Sequence, residues 1–282
     1  MRLASYLAGG KPAFGIITDM GAITLSDRLR GGARTLREAL TEDDALDEML
    51  HLAQGAEPDT PLDDLKYLPV ITDPKKILCV GINYRSHAAE HGHAVAEKPN
   101  IFTKFTDTLC PHDGVMLRPK ASQQLDFEGE LAVIIGKGGR AIKAEDALSH
   151  VAGYTCFCDG SVRDFIKVSL ITGKNFPATS PLGPWMVTAD EIPDPSKLTL
   201  TTRLNGQQMQ HSGTDMMMHD VPALIAYCST FTELSPGDII ATGTPEGIGA
   251  RRNPPVWMKA GDTLEVEISN IGTLRARVAD EK

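Results

Sequence analysis

Between Leu125 and Leu131 apolar residues alternate with acids, and the chain then becomes continuously apolar: Leu125, Phe127 and Leu131 are interleaved with Asp126, Glu128 and Glu130, and Ala132-Val133-Ile134-Ile135 follow. Alternation at period two that runs into β-branched residues predicts a strand. Successive side chains of a strand face opposite ways, so Glu128 and Glu130 are expected on one side with Asp126 above them. Further strands are expected over residues 76–82 and 151–158, the second ending at Asp159. Residues 99–119 read as strand, loop and strand. A hairpin is expected from strands over 198–204 and 207–211 around Asn205-Gly206, a pair that favours positive φ at both positions. Residues 263–268 and 272–278 close the pattern as two more strands. Helical spacing marks 35–40, 44–50, 143–150 and 221–231. The stretches 173–176 and 180–185 read as turns. Near the N-terminus short strands at Tyr6-Leu7, Phe14 to Ile17 and Ile23 to Leu25 precede the first helices. Residues 56–65, with two prolines and several acids, read as a linker, which sets residues 1–70 apart as a small module before 71–282.

Composition narrows the class. With 282 residues, 26 glycines, 18 prolines and few aromatics, the chain suits a strand-rich fold with many turns rather than a helical bundle. Its formal charge of −9 argues against nucleic acid or an anionic membrane surface as partner, both of which want a basic patch. No stretch approaches the roughly 20 apolar residues of a membrane span, and the first residues lack the apolar core of a signal peptide. A cytoplasmic protein acting on small molecules is the expectation. Of five cysteines only Cys156 and Cys158 are close together, as Cys-x-Cys, and they read as buried reduced thiols.

The candidate chemistry begins with the carboxylates. Two or three of them converging in a partly dry site repel one another unless a cation neutralises them, and oxygen ligands without Cys or His suit Mg²⁺, Mn²⁺ or Ca²⁺ better than zinc. Asp159 is either a third ligand or a turn residue. If residues 83–90 are helical, His87 and Glu90 are neighbours at i and i+3, so the carboxylate can hold the imidazole as a base. The segment from His91 to Pro99 reads as a mobile connection, a candidate lid. Lys174 is either solvated or faces the anionic site. The glycines of residues 242–249 let backbone amides approach an anion, although the stretch lacks the Gly-Lys-Ser/Thr ending of a phosphate loop.

Five segments together resemble the fumarylacetoacetate hydrolase family: Gly-Ile-Asn-Tyr-Arg-Ser-His-Ala-Ala-Glu from residue 81, Asp-Phe-Glu-Gly-Glu-Leu-Ala-Val-Ile-Ile-Gly from 126, Val-Ala-Gly-Tyr-Thr-Cys-Phe-Cys-Asp from 151, Gly-Lys-Asn-Phe from 173 and Pro-Gly-Asp-Ile-Ile-Ala-Thr-Gly-Thr-Pro-Glu-Gly-Ile-Gly from 236. The resemblance implies an α+β, β-rich fold. Its catalytic domain of rolled, mixed β-sheets follows a small N-terminal α/β domain and usually forms a homodimer. It places Glu128, Glu130 and Asp159 on the positions of a divalent metal, Mg²⁺ or a similar ion such as Mn²⁺ or Ca²⁺. It makes His87 and Glu90 the catalytic pair, sets Lys174 facing the reacting centre, and assigns Arg85, Gly243 and Thr244 to the substrate, a 2-oxo acid. The implied reaction is hydrolytic C–C cleavage of an acylpyruvate-type 2,4-dioxo acid to pyruvate and a carboxylic acid. Oxaloacetate decarboxylation, isomerisation of an unsaturated or enol dicarboxylate, hydrolysis of a diketo sugar acid, and a silent protein that keeps the fold are the alternatives. Two positions depart from the family. Cys158 stands where an asparagine is common before the metal-binding aspartate, and Ile166 stands where several members carry a substrate-contacting glutamine.

Overall fold

The computed structural model describes residues 1–91 and 97–282, residue 91 by its backbone alone. Most of the expected lid therefore lies outside the described residues. One large sheet runs, in order of neighbouring strands, Thr60–Pro61, Gly21–Thr24, Lys11–Ile17, Arg2–Ala8, Ser180–Thr188, Val151–Cys158, Gly129–Ile135, Ile239–Ala241, Ile77–Gly81 and Asn100–Lys104. A second, of five strands, runs Gln207–Gly213, Thr199–Leu204, Thr263–Ile268, Gly272–Asp280 and Gly114–Arg118. Both are mixed: Ile239–Ala241 lies parallel to Ile77–Gly81, and Gly272–Asp280 parallel to Gly114–Arg118.

Gly129–Ile135 is buried along its whole length, as its continuous apolar run requires of a strand covered on both faces. Leu131, Val133 and Ile135 pack with Leu200, Val266 and Leu274 of the five-stranded sheet. Ala132 and Ile134 point the other way and share a core with Leu3, Phe14, Leu36 and Met49. Residues 1–70 are thus joined to the rest through that common core, and also by the pairing of Arg2 and Leu3 with Val187 and Met186.

Two stretches differ from the sequence expectation. The acidic strand is broken: Leu125–Asp126 forms a separate ribbon with Ser161–Val162, and the long strand starts at Gly129. Asp126 is the cause, since its carboxylate accepts from the backbone N–H of Phe127, Gly249 and Ala250 at 2.8–3.0 Å and draws the chain out of the ladder. Residues 180–188, partly read as turns, form a nine-residue strand. Its prolines cost ladder hydrogen bonds, and Pro184 falls where the pairing with Val151–Cys158 shifts register between Tyr154 and Cys156.

The hairpin forms as its turn residues dictate, with φ of 53° at Asn205 and 79° at Gly206. All five cysteines are free and buried. Among the described residues no helix is long and apolar enough to cross a membrane.

Candidate active site

Strand register brings the carboxylates together. Gly129 pairs with Cys158 and Glu130 with Phe157, so Asp159, one step past the pairing, donates its backbone N–H to the Glu128 carbonyl at 2.9 Å. One oxygen from each of Glu128, Glu130 and Asp159 lies within 4.8 Å of the others, and all three side chains are buried.

Two buried lysines and a partly buried arginine surround them. Lys174, at the end of the short helix Leu170–Lys174, donates to Glu128 at 2.6 Å and to Asp159 at 2.7 Å. Arg163 bridges Asp126 at 2.8 Å and Glu128 at 2.6 Å. Lys104 donates to Asp159 at 2.7 Å, to the Gly160 carbonyl at 3.1 Å and to the Lys174 carbonyl, which uses all three of its protons. Burial would raise the Glu128 carboxyl pKa, but Lys174 and Arg163 outweigh it and hold the group well below the carboxylate range. Burial likewise pushes Lys174 down, and Asp159 with Glu128 more than reverses it. Glu130 behaves oppositely. Burial, then the charges of Asp159 and Glu128, push its carboxyl well above the ordinary value, while the N–H of Gly243 at 2.8 Å opposes the shift. Three carboxyl groups converging in a buried site, one of them forced toward its neutral form, is what a hard divalent cation would relieve, so the donor set fits such an ion.

Glu128 and Glu130 open into a cavity of about 220 Å³. His87, Arg163, Lys174 and Thr244 line its polar part, and Ile82, Phe102, Ile166 and Leu170 its apolar part. His87 sits on the helix Arg85–His91, with Nδ1 3.0 Å from Glu90 Oε2, and the other Glu90 oxygen accepts from the N–H of Gly247 at 3.3 Å. The glycine-rich loop therefore braces the histidine's partner. Thr244 donates to the Gly129 carbonyl at 2.8 Å and accepts from Gln210 at 2.8 Å, so the loop is also tied to the start of the carboxylate strand.

The structure brings His87, Glu90, Glu128, Glu130, Asp159, Lys174 and Thr244 to one place. Gly243 is there too, but its N–H is spent on Glu130. Arg85 is not. It is exposed and lines a different surface cleft with Asp215, His219 and Asp220, because positions two apart on a helix point about 200° apart and His87 takes the inward side. Asp126 is not in the triad either; its oxygens serve the 249–250 loop and Arg163. Arg163, Lys104 and Gln210 escaped the sequence reading. A lone lysine inside the apolar strand Asn100–Lys104 was the available signal for one of them.

Comparison with known proteins places the chain in a family. The family model described as fumarylacetoacetate (FAA) hydrolase C-terminal matches residues 76–279. The chain is 41% identical over 251 residues to mitochondrial oxaloacetate tautomerase FAHD2A of Bos taurus, covering 87% of this chain and 80% of that protein. The solved fumarylacetoacetate hydrolase of Exiguobacterium antarcticum superposes over the full length of both chains with a TM-score of 0.83 at 32% identity. Maleylpyruvate hydrolase of Sphingobium sp. SYK-6, solved with manganese(II) and pyruvate, covers both chains fully with a TM-score of 0.81 at 27% identity. The chain belongs to the fumarylacetoacetate hydrolase family.

Proposed function

We propose that the protein interconverts the keto and enol forms of a short 2-oxo acid, with oxaloacetate as the leading substrate. The observation that carries this reading is that His87, braced by Glu90, opens into the same small cavity as Glu128 and Glu130 of the buried carboxylate triad. A divalent ion held by Glu128, Glu130 and Asp159 would supply a Lewis acid for the 2-oxo and carboxylate oxygens. His87 then accepts the proton from C3 as the C2–C3 double bond forms and the carbonyl π pair moves onto oxygen. Protonation of that oxygen gives the enol, and the reverse sequence gives the ketone. Lys174 and Arg163 place fixed positive charge beside the cavity, where it offsets the charge of the acid and of the enolate. Oxaloacetate is favoured by the 41% identity to oxaloacetate tautomerases.

A second reading, hydrolytic cleavage of an acylpyruvate, uses the same pair to deprotonate water. It is supported by the likeness to maleylpyruvate hydrolase and by the apolar wall of Ile166 and Leu170, which suits a short acyl chain. The test follows disappearance of enol-oxaloacetate by its ultraviolet absorbance while a coupled assay records pyruvate released from oxaloacetate and from an acylpyruvate. Enol loss without pyruvate supports the tautomerase. Faster pyruvate release from the acylpyruvate would replace it with the hydrolase, and release from oxaloacetate with a decarboxylase.

The wall carries its own prediction. Ile166→Gln should shift the kcat/KM preference from an alkyl-substituted toward a polar-substituted 2-oxo acid by about tenfold, because it puts an amide in place of an apolar side chain on the cavity wall. Equal change for both substrates would mean that the distal group lies elsewhere.

A further inference from the structure

Thr242 and Gly243 share a peptide unit whose two polar ends are both committed. Its carbonyl accepts from the Asn83 amide at 2.7 Å, and its N–H donates to the Glu130 carboxylate at 2.8 Å. Asn83 is fully buried and stands two residues ahead of the helix that carries His87 and Glu90. The same side chain donates to the His219 carbonyl at 2.9 Å and accepts from the His219 N–H at 2.9 Å. Gly243 makes the approach possible: its φ is +97°, and a Cβ there would meet the Asn83 Cβ at 2.7 Å. Ile82, just before Asn83 and on the cavity wall, has φ 54°, where a β-branched residue is a clear outlier. A conformation of that kind persists only when its surroundings hold it, and the three Asn83 bonds are the hold next to it.

We propose that Asn83 is a positioning residue that joins the two halves of the site, fixing the Glu130 carboxylate through the Thr242–Gly243 peptide and the start of the His87 helix through the chain. The inference rests on reading Glu130 as an ion ligand and His87 as the base. A donor on the carbonyl polarises the peptide and strengthens its N–H toward the carboxylate, so the link is electronic as well as steric. Outer contacts of this kind set the orientation of a ligating group, and their loss typically costs about 10–100-fold in ion affinity.

Asn83→Asp keeps the size of the side chain and the acceptor for the His219 N–H but removes the donor to the Thr242 and His219 carbonyls. In the full-length protein it should weaken Mn²⁺ affinity, measured by electron paramagnetic resonance of the free ion, by about tenfold or more. It should also lower kcat more than it changes KM. Mn²⁺ affinity within about twofold of the wild type in a folded variant would overturn the proposal, since a merely structural role lowers stability without touching the ion. Should the variant not fold, amide exchange in the wild type decides: Mg²⁺ should slow exchange at Gly243 and His219 together, and slowing at Gly243 alone would overturn the link. Both measurements are made without turnover. A failed tautomerase assay leaves them standing, whereas a wild type that binds no Mn²⁺ would remove the ligand reading and this inference with it.

Discussion

His87→Ala should lower turnover of the enol by about 10²- to 10⁴-fold, the range general-base catalysis contributes, while Mn²⁺ affinity stays within about twofold of wild type. The two readouts separate because His87 bonds Glu90 and faces the cavity without belonging to the triad. Glu90→Gln should fall between the two, since a neutral amide still fills the space next to Nδ1 but no longer stabilises an imidazolium. The check is a steady-state rate comparison beside a metal titration of each variant. Undiminished turnover in His87→Ala would move the base to another residue and leave the cavity reading without its main support.

The second large effect is at Glu130. Glu130→Gln removes a ligand from the triad and should weaken divalent-ion binding by more than about 10²-fold, beyond what outer-sphere changes cost, with turnover lost in step. Yet the metal-free variant should be no less stable than the metal-free wild type. Burial, Asp159 and Glu128 hold the wild-type carboxyl well above its ordinary value of 4.5. A group raised in this way contributes stability that is full below that ordinary value and is lost as pH rises through the raised one. Glu128 carries the opposite sign, because a depressed carboxyl loses its contribution as pH falls. Subtracting the variant's thermal stability from the wild type's at each pH isolates the Glu130 part, which should decline with rising pH in chelator and flatten when Mg²⁺ is added. An unchanged affinity for the ion would remove Glu130 from the ligand set.

Much of the site was legible because it is carried by short, locally ordered motifs. His87 and Glu90 are three apart, so helix geometry alone puts them together; Glu128 and Glu130 are two apart, which keeps them close although Glu128 stands just ahead of the strand that carries Glu130. Asp159 could be placed only as the end of a strand; what sets it beside Glu128 is the register of Gly129 against Cys158, which no local pattern encodes. Arg85 was misplaced for the converse reason, since belonging to a motif does not overrule helix periodicity. Arg163 and Gln210 are invisible locally, as each acts across 34 or more residues on partners in other elements. In the fold, the hairpin at Asn205-Gly206 was readable from turn chemistry and the central strand from its apolar run. The strand Ser180–Thr188 was not, because Pro181, Gly183 and Pro184 are strong turn signals that a shift of register absorbs. The common core of residues 1–70 with Ala132 and Ile134 was hidden in the same way, by contacts distant in sequence.

The five buried thiols turn the molecule into its own unfolding clock. Burial pushes Cys110, Cys156 and Cys228 up to about 12, and Cys79 and Cys158 are raised as well, so alkylating reagents meet neither an exposed sulfur nor a thiolate until the surrounding structure opens. Cys228 lies on the helix Val221–Phe231, Cys110 on the short strand Leu109–Pro111, and Cys158 directly beside Asp159. Mass spectrometry of the labelling order therefore ranks the opening of separate parts of one chain without any engineered probe. Protection of Cys158 by added divalent ion, at ion levels that leave Cys228 unaffected, would read occupancy of the neighbouring site through the lifetime of a sulfur atom.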